Sequence, residues 1–152
     1  MKILLDTNAY VGFKRNIDAV VEIIVNSETI LFSPIVLGEL MFGFHNGLKF
    51  KENMNDLNTF IQHEAVDFVP IAEITSDRYS RIATQLRSQG TPIPTNDIWI
   101  AAQTMEHGAE LITSDRHFDN IRGLVYTLVL KEFVETSELL VSASIDQAKK
   151  AF

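Results

Sequence analysis

The fold is decided by a stretch at the start of the chain, Lys2-Ile3-Leu4-Leu5-Asp6-Thr7-Asn8. Its apolar run is short and uninterrupted, which is typical of a strand buried on both faces of a parallel sheet. A polar residue directly after such a strand lies at the carboxyl end of the sheet, where α/β proteins hold their ligands. We therefore predict a buried first strand that presents the carboxylate of Asp6 at this edge.

Short strands alternate with helical patterns along the rest of the chain. The sequence predicts further strands at 29–32, 66–70, 110–113 and 124–128. It predicts helices at 17–25, 34–44, 50–61, 74–89 and 96–107. This alternation is typical of an α/β fold with a mostly parallel sheet of roughly five strands.

Helix boundaries are marked by residues with strong local preferences. Ser33 followed by Pro34 predicts an N-cap and the first residue of a helix. Pro92 and Pro94 push the residues before them out of the α region, so an extended loop is predicted there. Thr95 is then expected to cap the next helix with its side chain.

The composition excludes several kinds of site. The 152 residues contain no cysteine, which excludes disulfides, thiolate zinc sites and cysteine nucleophiles. The four histidines are scattered, which disfavours a metal site built on imidazole and favours a hard cation held by oxygen. The sequence has neither a signal-peptide pattern nor an apolar run of membrane-spanning length, so we expect a cytoplasmic protein without a membrane partner.

The net charge of −7 has two interpretations. Taken alone, it argues against the basic surface that most nucleic-acid-binding proteins present. It could serve solubility, or the acidity could be concentrated in a pocket and neutralised by cations. Charge alone leaves both interpretations open.

Four carboxylates are predicted to meet at the carboxyl edge of the sheet. Asp6 follows the first strand, and Asp115 comes two residues after the strand at 110–113. Asp97 lies in the first turn of the helix that leads into that strand, and Glu39 lies in the helix after the second strand. Elements that end or begin at one edge of a parallel sheet bring their side chains together.

Each carboxylate also has a purely structural interpretation. Asp6 could cap a helix, Asp97 could favour a helix dipole, and Asp115 could be a turn residue. Glu39 is harder to explain in this way, because it is the only charged residue between 34 and 44.

Taken together, four neighbouring carboxylates repel one another, and a divalent cation stabilises such a group at neutral pH. Mg²⁺ and Mn²⁺ prefer carboxylate oxygen and water, and they leave positions open for phosphate oxygens. Such ions activate water for attack on phosphorus. We therefore predict a metal-dependent phosphodiesterase whose catalytic residues and metal ligands are Asp6, Glu39, Asp97 and Asp115.

The order of four motifs resembles that of a PIN domain, most of all the VapC-type toxins of bacterial and archaeal toxin–antitoxin pairs. The motifs are Leu4-Leu5-Asp6-Thr7-Asn8, Gly38-Glu39-Leu40, Pro94-Thr95-Asn96-Asp97-Ile98-Trp99-Ile100-Ala101-Ala102 and Leu111-Ile112-Thr113-Ser114-Asp115-Arg116-His117-Phe118. The resemblance covers about residues 2–128, so we assign a PIN domain to 1–130. Residues 131–152 form a C-terminal extension of unknown role.

The resemblance implies a three-layer α/β/α sandwich and an Mg²⁺- or Mn²⁺-dependent endoribonuclease that acts on single-stranded or loop RNA. It implies a homodimer and a small VapB-type antitoxin that blocks the site. By position, Asp6, Glu39, Asp97 and Asp115 are the acidic quartet, with Asp6 and Asp97 the firmest metal ligands.

Several residues beside the quartet have predicted secondary roles. Asn8 and Thr113 match polar positions that could hold the quartet by hydrogen bonds, and Trp99 is predicted to pack in the core. Basic side chains near the motifs could hold RNA phosphates, namely Lys14, Arg15, Arg116, His117 and Arg122.

Two other functions remain as alternatives. The chain could be a solitary PIN-domain nuclease that processes RNA, or a PIN-like scaffold that binds RNA or protein without cutting. The intact quartet argues against the scaffold, because a protein without catalysis has no reason to keep four repelling carboxylates together.

Overall fold

The structure is a computed structural model that describes residues 1–129, and it contains one sheet of five parallel strands. The strands are β1 (Lys2–Leu5), β2 (Thr29–Phe32), β3 (Val66–Phe68), β4 (Glu110–Thr113) and β5 (Tyr126–Leu128). They lie in the order β3-β2-β1-β4-β5, and every neighbouring pair is parallel. The predicted extension at 131–152 lies outside the described residues.

Six α-helices connect the strands in the described part of the chain. They are α1 (Thr7–Lys14), α2 (Asp18–Val25), α3 (Pro34–His45), α4 (Phe50–Ile61), α5 (Glu73–Gln89) and α6 (Thr95–Glu106), and a 3-10 helix covers Arg116–Asn120. The three-layer α/β/α sandwich is thus confirmed, and its sheet is parallel throughout rather than mostly parallel. No helix within residues 1–129 has both the length and the apolar character that a membrane crossing requires.

The central strand β1 lies in the middle of the core. Ile3, Leu4 and Leu5 are completely buried, as expected for a strand covered on both faces. Leu4 is paired with Leu31 of β2 on one side and with Leu111 of β4 on the other. Because the chain adds β2 and β3 on one side and β4 and β5 on the other, the winding direction switches at β1 and β4, and a crevice opens at the carboxyl ends there.

The predicted element boundaries are correct in most places and wrong in three. Helix α6 begins at Thr95, so Thr95 does not cap it; the N-cap is Pro94, whose carbonyl accepts the Asp97 N–H at 3.1 Å. Strands β3 and β5 are shorter than predicted. Both lie at the edges of the sheet, where each pairs with only one neighbour.

A buried amide attaches α6 to the rest of the sheet. Gln103 is completely buried, and its Nε2 donates hydrogen bonds to the carbonyls of Val69 at 2.9 Å and Pro70 at 3.3 Å. Its Oε1 accepts a hydrogen bond from the hydroxyl of Ser33, the N-cap of α3. This network fixes the two helices that carry Asp97 and Glu39.

Replacing this amide should destabilise the protein. The change Gln103→Leu leaves buried carbonyl and hydroxyl groups without partners, so we expect the free energy of unfolding to fall by about 2–3 kcal/mol. Urea unfolding measures it. The exposed Gln62 at the end of α4 supplies the control, because Gln62→Leu should change stability by no more than about 0.5 kcal/mol. Equal unfolding midpoints for the two variants would contradict the role assigned to Gln103.

Candidate active site

The candidate site lies at the crevice where the winding direction switches. Asp6 directly follows β1, and its N–H donates to the carbonyl of Ile112 at 3.0 Å, which continues the pairing of β1 with β4. Thr113 ends β4 and is completely buried. The backbone therefore holds both residues rigidly at the same edge of the sheet.

Asp6 is a buried carboxylate held by two uncharged donors. Its side chain accepts the N–H of Thr7 at Oδ1 and the hydroxyl of Thr113 at Oδ2, each at 2.7 Å. The residue is only 4% exposed, and this burial raises the pKa of Asp6 to about 6 although both hydrogen bonds lower it. The nearby carboxylates of Asp97 and Glu39 raise the pKa further.

Glu39 reaches the group from α3 through a threonine. The hydroxyl of Thr7 donates to Glu39 Oε1 at 2.9 Å, while the Thr7 N–H donates to Asp6. Glu39 is partly buried. The expectation that this lone charge in an apolar helix needs a partner is therefore met by Thr7.

Asp115 is connected to Asp6 through a second threonine. The Thr113 hydroxyl donates to Asp6 and accepts the N–H of Asp115 at 3.0 Å. Asp115 also caps the following 3-10 helix, because its Oδ1 accepts the N–H of His117 at 2.9 Å. The structural and functional interpretations of Asp115 are thus compatible.

Asp97 meets Asp115 at an imidazole. The Nδ1 of His117 lies 3.1 Å from Asp97 Oδ2 and 3.1 Å from Asp115 Oδ1. Burial raises the pKa of Asp97, and the charges of Asp115 and Glu39 raise it as well, whereas His117 lowers it. The Asp97 side chain is 13% exposed and the His117 side chain 49%, so the imidazole lies on the solvent side.

The four predicted carboxylates are thus joined by three intervening side chains. Thr7 joins Glu39 to Asp6, Thr113 joins Asp6 to Asp115, and His117 joins Asp115 to Asp97. We call these seven residues the linked group. Its members follow β1 or end β4, or they lie in α1, α3, α6 and the segment after β4.

Two members of the linked group were not predicted in these roles. Thr7 takes the part expected of Asn8, which is exposed and has no recorded hydrogen bond to any of the four carboxylates. His117 was expected only to hold a phosphate. Its position two residues after Asp115 is the signal in the sequence that points to this role. The predicted role of Thr113 is confirmed by its bond to Asp6.

Other predicted residues lie around this group. Trp99 is half-buried rather than fully buried, and it stacks on Tyr79 with a centroid distance of 4.1 Å. Lys14 forms an ion pair with Asp56 at 3.1 Å. Contact of Lys14 and the other basic side chains with RNA stays a prediction.

The residues present fit a divalent cation. Asp97, Asp115 and His117 each offer one ligand atom, and these atoms lie within 4.8 Å of one another. Both donors to the buried Asp6 are uncharged, so the protein leaves its negative charge without a nearby cationic partner at these bonds. Carboxylate oxygen suits Mg²⁺ and Mn²⁺, and the imidazole nitrogen adds a ligand type not predicted from the sequence.

The buried carboxylate should make stability depend on pH when chelator removes metal. The pKa of Asp6 is about 6 in the folded protein, whereas its ordinary value is 3.8. Between these two pH values the folded state therefore binds more protons than the unfolded state, and the protein loses stability as the pH rises from the lower value to the higher one. The change Asp6→Asn removes this loss, so at about pH 8 the variant should be more stable than wild type by up to about 3 kcal/mol.

Urea unfolding in EDTA at about pH 4 and about pH 8 measures this difference, which should shrink towards zero at the lower pH. The change Asp67→Asn at an exposed position of β3 is the control, since it alters the net charge equally. A difference between Asp6→Asn and wild type that is the same at both pH values would disprove the effect of burial.

Comparison with known proteins agrees with this geometry. A family model described as PIN domain matches residues 3–124. The chain is 31% identical over 128 residues to the ribonuclease VapC2 of Rickettsia felis, an alignment that covers 80% of this chain and 93% of that relative.

Solved structures of two related proteins have the same fold. The crystal structure of VapBC2 from Rickettsia felis bound to a promoter DNA fragment matches with a TM-score of 0.75 and 26% identity, over 85% of this chain and 99% of that one. The structure of VapBC-1 from nontypeable Haemophilus influenzae matches with a TM-score of 0.74 and 26% identity, over 84% and 98%. By the family match and the identity to VapC2, the chain belongs to the PIN-domain family and, within it, to the VapC type.

Proposed function

We propose that this protein is a metal-dependent endoribonuclease, the toxin of a toxin–antitoxin pair, with Asp6, Glu39, Asp97 and Asp115 as its catalytic residues and metal ligands. The observation that carries the proposal is the convergence of these carboxylates in one linked group at the switch point of the sheet. The VapC-type relatives, which are named ribonucleases, support RNA as the substrate.

The proposed metal ligands are the four carboxylates, and the imidazole of His117 joins them as a further candidate ligand. Asp97 and Asp115 offer carboxylate oxygens, and His117 offers Nδ1 when its ring is neutral. A divalent cation bound there would supply a water of lowered pKa and positive charge beside the reacting phosphate. Mg²⁺ or Mn²⁺ is the proposed ion.

The linked group assigns different tasks to its carboxylates. Asp6 is buried and fixed at both oxygens, so it is suited to a constant position beside phosphorus. Glu39 is more exposed and is held at Oε1 by Thr7, so it is suited to orient the attacking water and accept its proton. Hydrolysis forms a bond from the water oxygen to phosphorus and breaks the bond from phosphorus to a ribose oxygen.

The net charge of −7 is compatible with this function. Four of the acidic residues belong to the linked group, where bound cations would neutralise them. Basic side chains such as Arg116, which directly follows Asp115 in the chain, could hold the RNA backbone. Part of the negative charge that argues against nucleic-acid binding therefore belongs to the proposed active site itself.

Cleavage should require both metal and the buried carboxylates. We expect the purified chain to cut single-stranded RNA with Mg²⁺ or Mn²⁺ and to stop in EDTA. The variants Asp6→Asn and Asp97→Asn should lose more than about 100-fold in rate, since even residues that only support a metal ligand are worth about 10–100-fold. Gel assays measure the rate, and Asp67→Asn is the control of equal charge. Full activity in EDTA, or in either site variant, would overturn the proposal.

Removal of one supporting hydroxyl should weaken catalysis without removing a carboxylate. Thr113→Val keeps the shape of a buried side chain but loses the bonds to Asp6 and Asp115. We expect a loss of roughly 10–100-fold in the rate at saturating metal. Thr59→Val, on the exposed face of α4, should retain the full rate. An unchanged rate in Thr113→Val would show that the threonine does not position the carboxylates.

The proposed protein partners are a VapB-type antitoxin and a second copy of the chain. The similar solved structures are of VapBC, which supports the antitoxin. A short neighbouring gene whose product co-purifies with this chain and blocks cleavage would support the toxin. Cleavage without any such gene would favour a solitary RNA-processing nuclease, and RNA binding without cleavage would favour the scaffold.

A further inference from the structure

A cavity of about 610 Å³ opens directly beside the linked group. Thr7 and Glu39 belong to its lining as well as to the linked group. The lining also includes Ile35, Gly38, Phe42 and Asn96. Any molecule that occupies the cavity therefore lies next to the proposed reaction centre.

The cavity combines an exposed aromatic ring with open space. Phe42 is 72% exposed although it belongs to an apolar helix, and Ile35 adds apolar surface. Gly38 leaves room on the same helix, since a Cβ placed there would meet no atom within 4 Å. A flat apolar group can enter this space without displacing protein atoms.

The remaining wall offers hydrogen bonds. Asn96 is exposed, carries an amide that can both donate and accept, and directly precedes Asp97. A flat ring with a polar edge thus matches both the apolar surface of Phe42 and Ile35 and the amide of Asn96. The volume also lies within the range of about 300–1,000 Å³ that small-molecule sites occupy.

We infer that this cavity binds the unpaired base of a nucleotide next to the cleaved phosphodiester, with Phe42 stacking on the base and Asn96 bonding to its edge. The inference rests on the proposed ribonuclease function and adds to it a subsite for one base, formed by Phe42 and Asn96. A base inside a duplex is stacked and paired, so only an unpaired base can turn into such a cavity. Stacking accepts every base, whereas the amide of Asn96 supplies any preference among them.

A protein occupant is the alternative that the geometry favours less. An apolar side chain from an antitoxin or a second copy would cover Phe42, but it would leave the amide of Asn96 without a matched partner. A base uses both walls while its own phosphate lies at the linked group. The test below separates these occupants.

The first test compares two identical substitutions in the same helix. Gly38 and Gly43 both lie in α3, and neither has an atom within 4 Å of an added Cβ, but only Gly38 lines the cavity. Gly38→Leu should fill the cavity and raise KM, whereas Gly43→Leu should not. Thermal unfolding should give similar midpoints for both, so a folding defect would be recognised.

The second test removes the aromatic ring. Phe42→Ala should raise KM by about 5- to 100-fold with little change in kcat, since stacking contributes similarly to the ground state and the transition state. Leu48→Ala removes another exposed apolar side chain, which lies outside the cavity, and should behave as wild type. The substrate is a short unpaired oligoribonucleotide spanning a cleavage position mapped on total RNA with the full wild-type chain.

The third test removes the base instead of the ring. An abasic nucleotide on one side of the cleaved bond should weaken wild-type binding by at least the factor of Phe42→Ala, and it should weaken binding by that variant much less than binding by the wild type. Additive losses, or unchanged kinetics in Phe42→Ala and Gly38→Leu, would overturn the inference while leaving the ribonuclease function intact. Conversion of a dimer to a monomer by Phe42→Ala, with unchanged RNA kinetics, would overturn it in favour of a second copy. Absence of cleavage by the wild type would instead overturn the proposed function.

Discussion

The mutual repulsion of four carboxylates at one sheet edge is the constraint on which the candidate site depends. The protein does not relieve it with lysine or arginine within the linked group. It uses two threonine hydroxyls, two backbone N–H groups and one exposed imidazole. Among the four carboxylates, Asp6 has the most strongly raised pKa, because its burial outweighs the two hydrogen bonds that lower the pKa. Such an arrangement would favour a bound cation beside the carboxylates.

The fold satisfies this constraint by placing the most rigid residues at the centre. Asp6 follows a completely buried strand, and its own N–H continues the pairing with β4. Asp97 is carried by a helix that Gln103 attaches to two connecting segments of the sheet. Glu39 and His117 are more exposed, and they complete the group from the solvent side. The residues carried by buried, hydrogen-bonded elements are thus the most rigidly placed members of the group.

Sequence patterns predict the backbone of this site better than its contacts. The carboxylates were predictable because a strand end or a helix start fixes where Asp6, Asp97 and Asp115 lie. The roles of Thr7 and His117 were not, since they depend on distances between side chains far apart in sequence. The exposure of Phe42 was also hidden, because a helix that is apolar on all sides normally predicts burial on all sides. Pro94 took the cap expected of Thr95, because the extended proline already ends the preceding loop.

The placement of β1 between β2 and β4 has a consequence for biosynthesis. Asp6 and Thr113 are 107 positions apart, so the bond between them cannot form until most of the chain has left the ribosome. Until β4 arrives, one edge of the most apolar strand offers unpaired backbone groups to other chains. A chain that ends before β4 would therefore lack the carboxylate cluster and would also be prone to aggregate. The pairing of β1 with β4 that brings Asp6 next to Thr113 also covers this edge of β1.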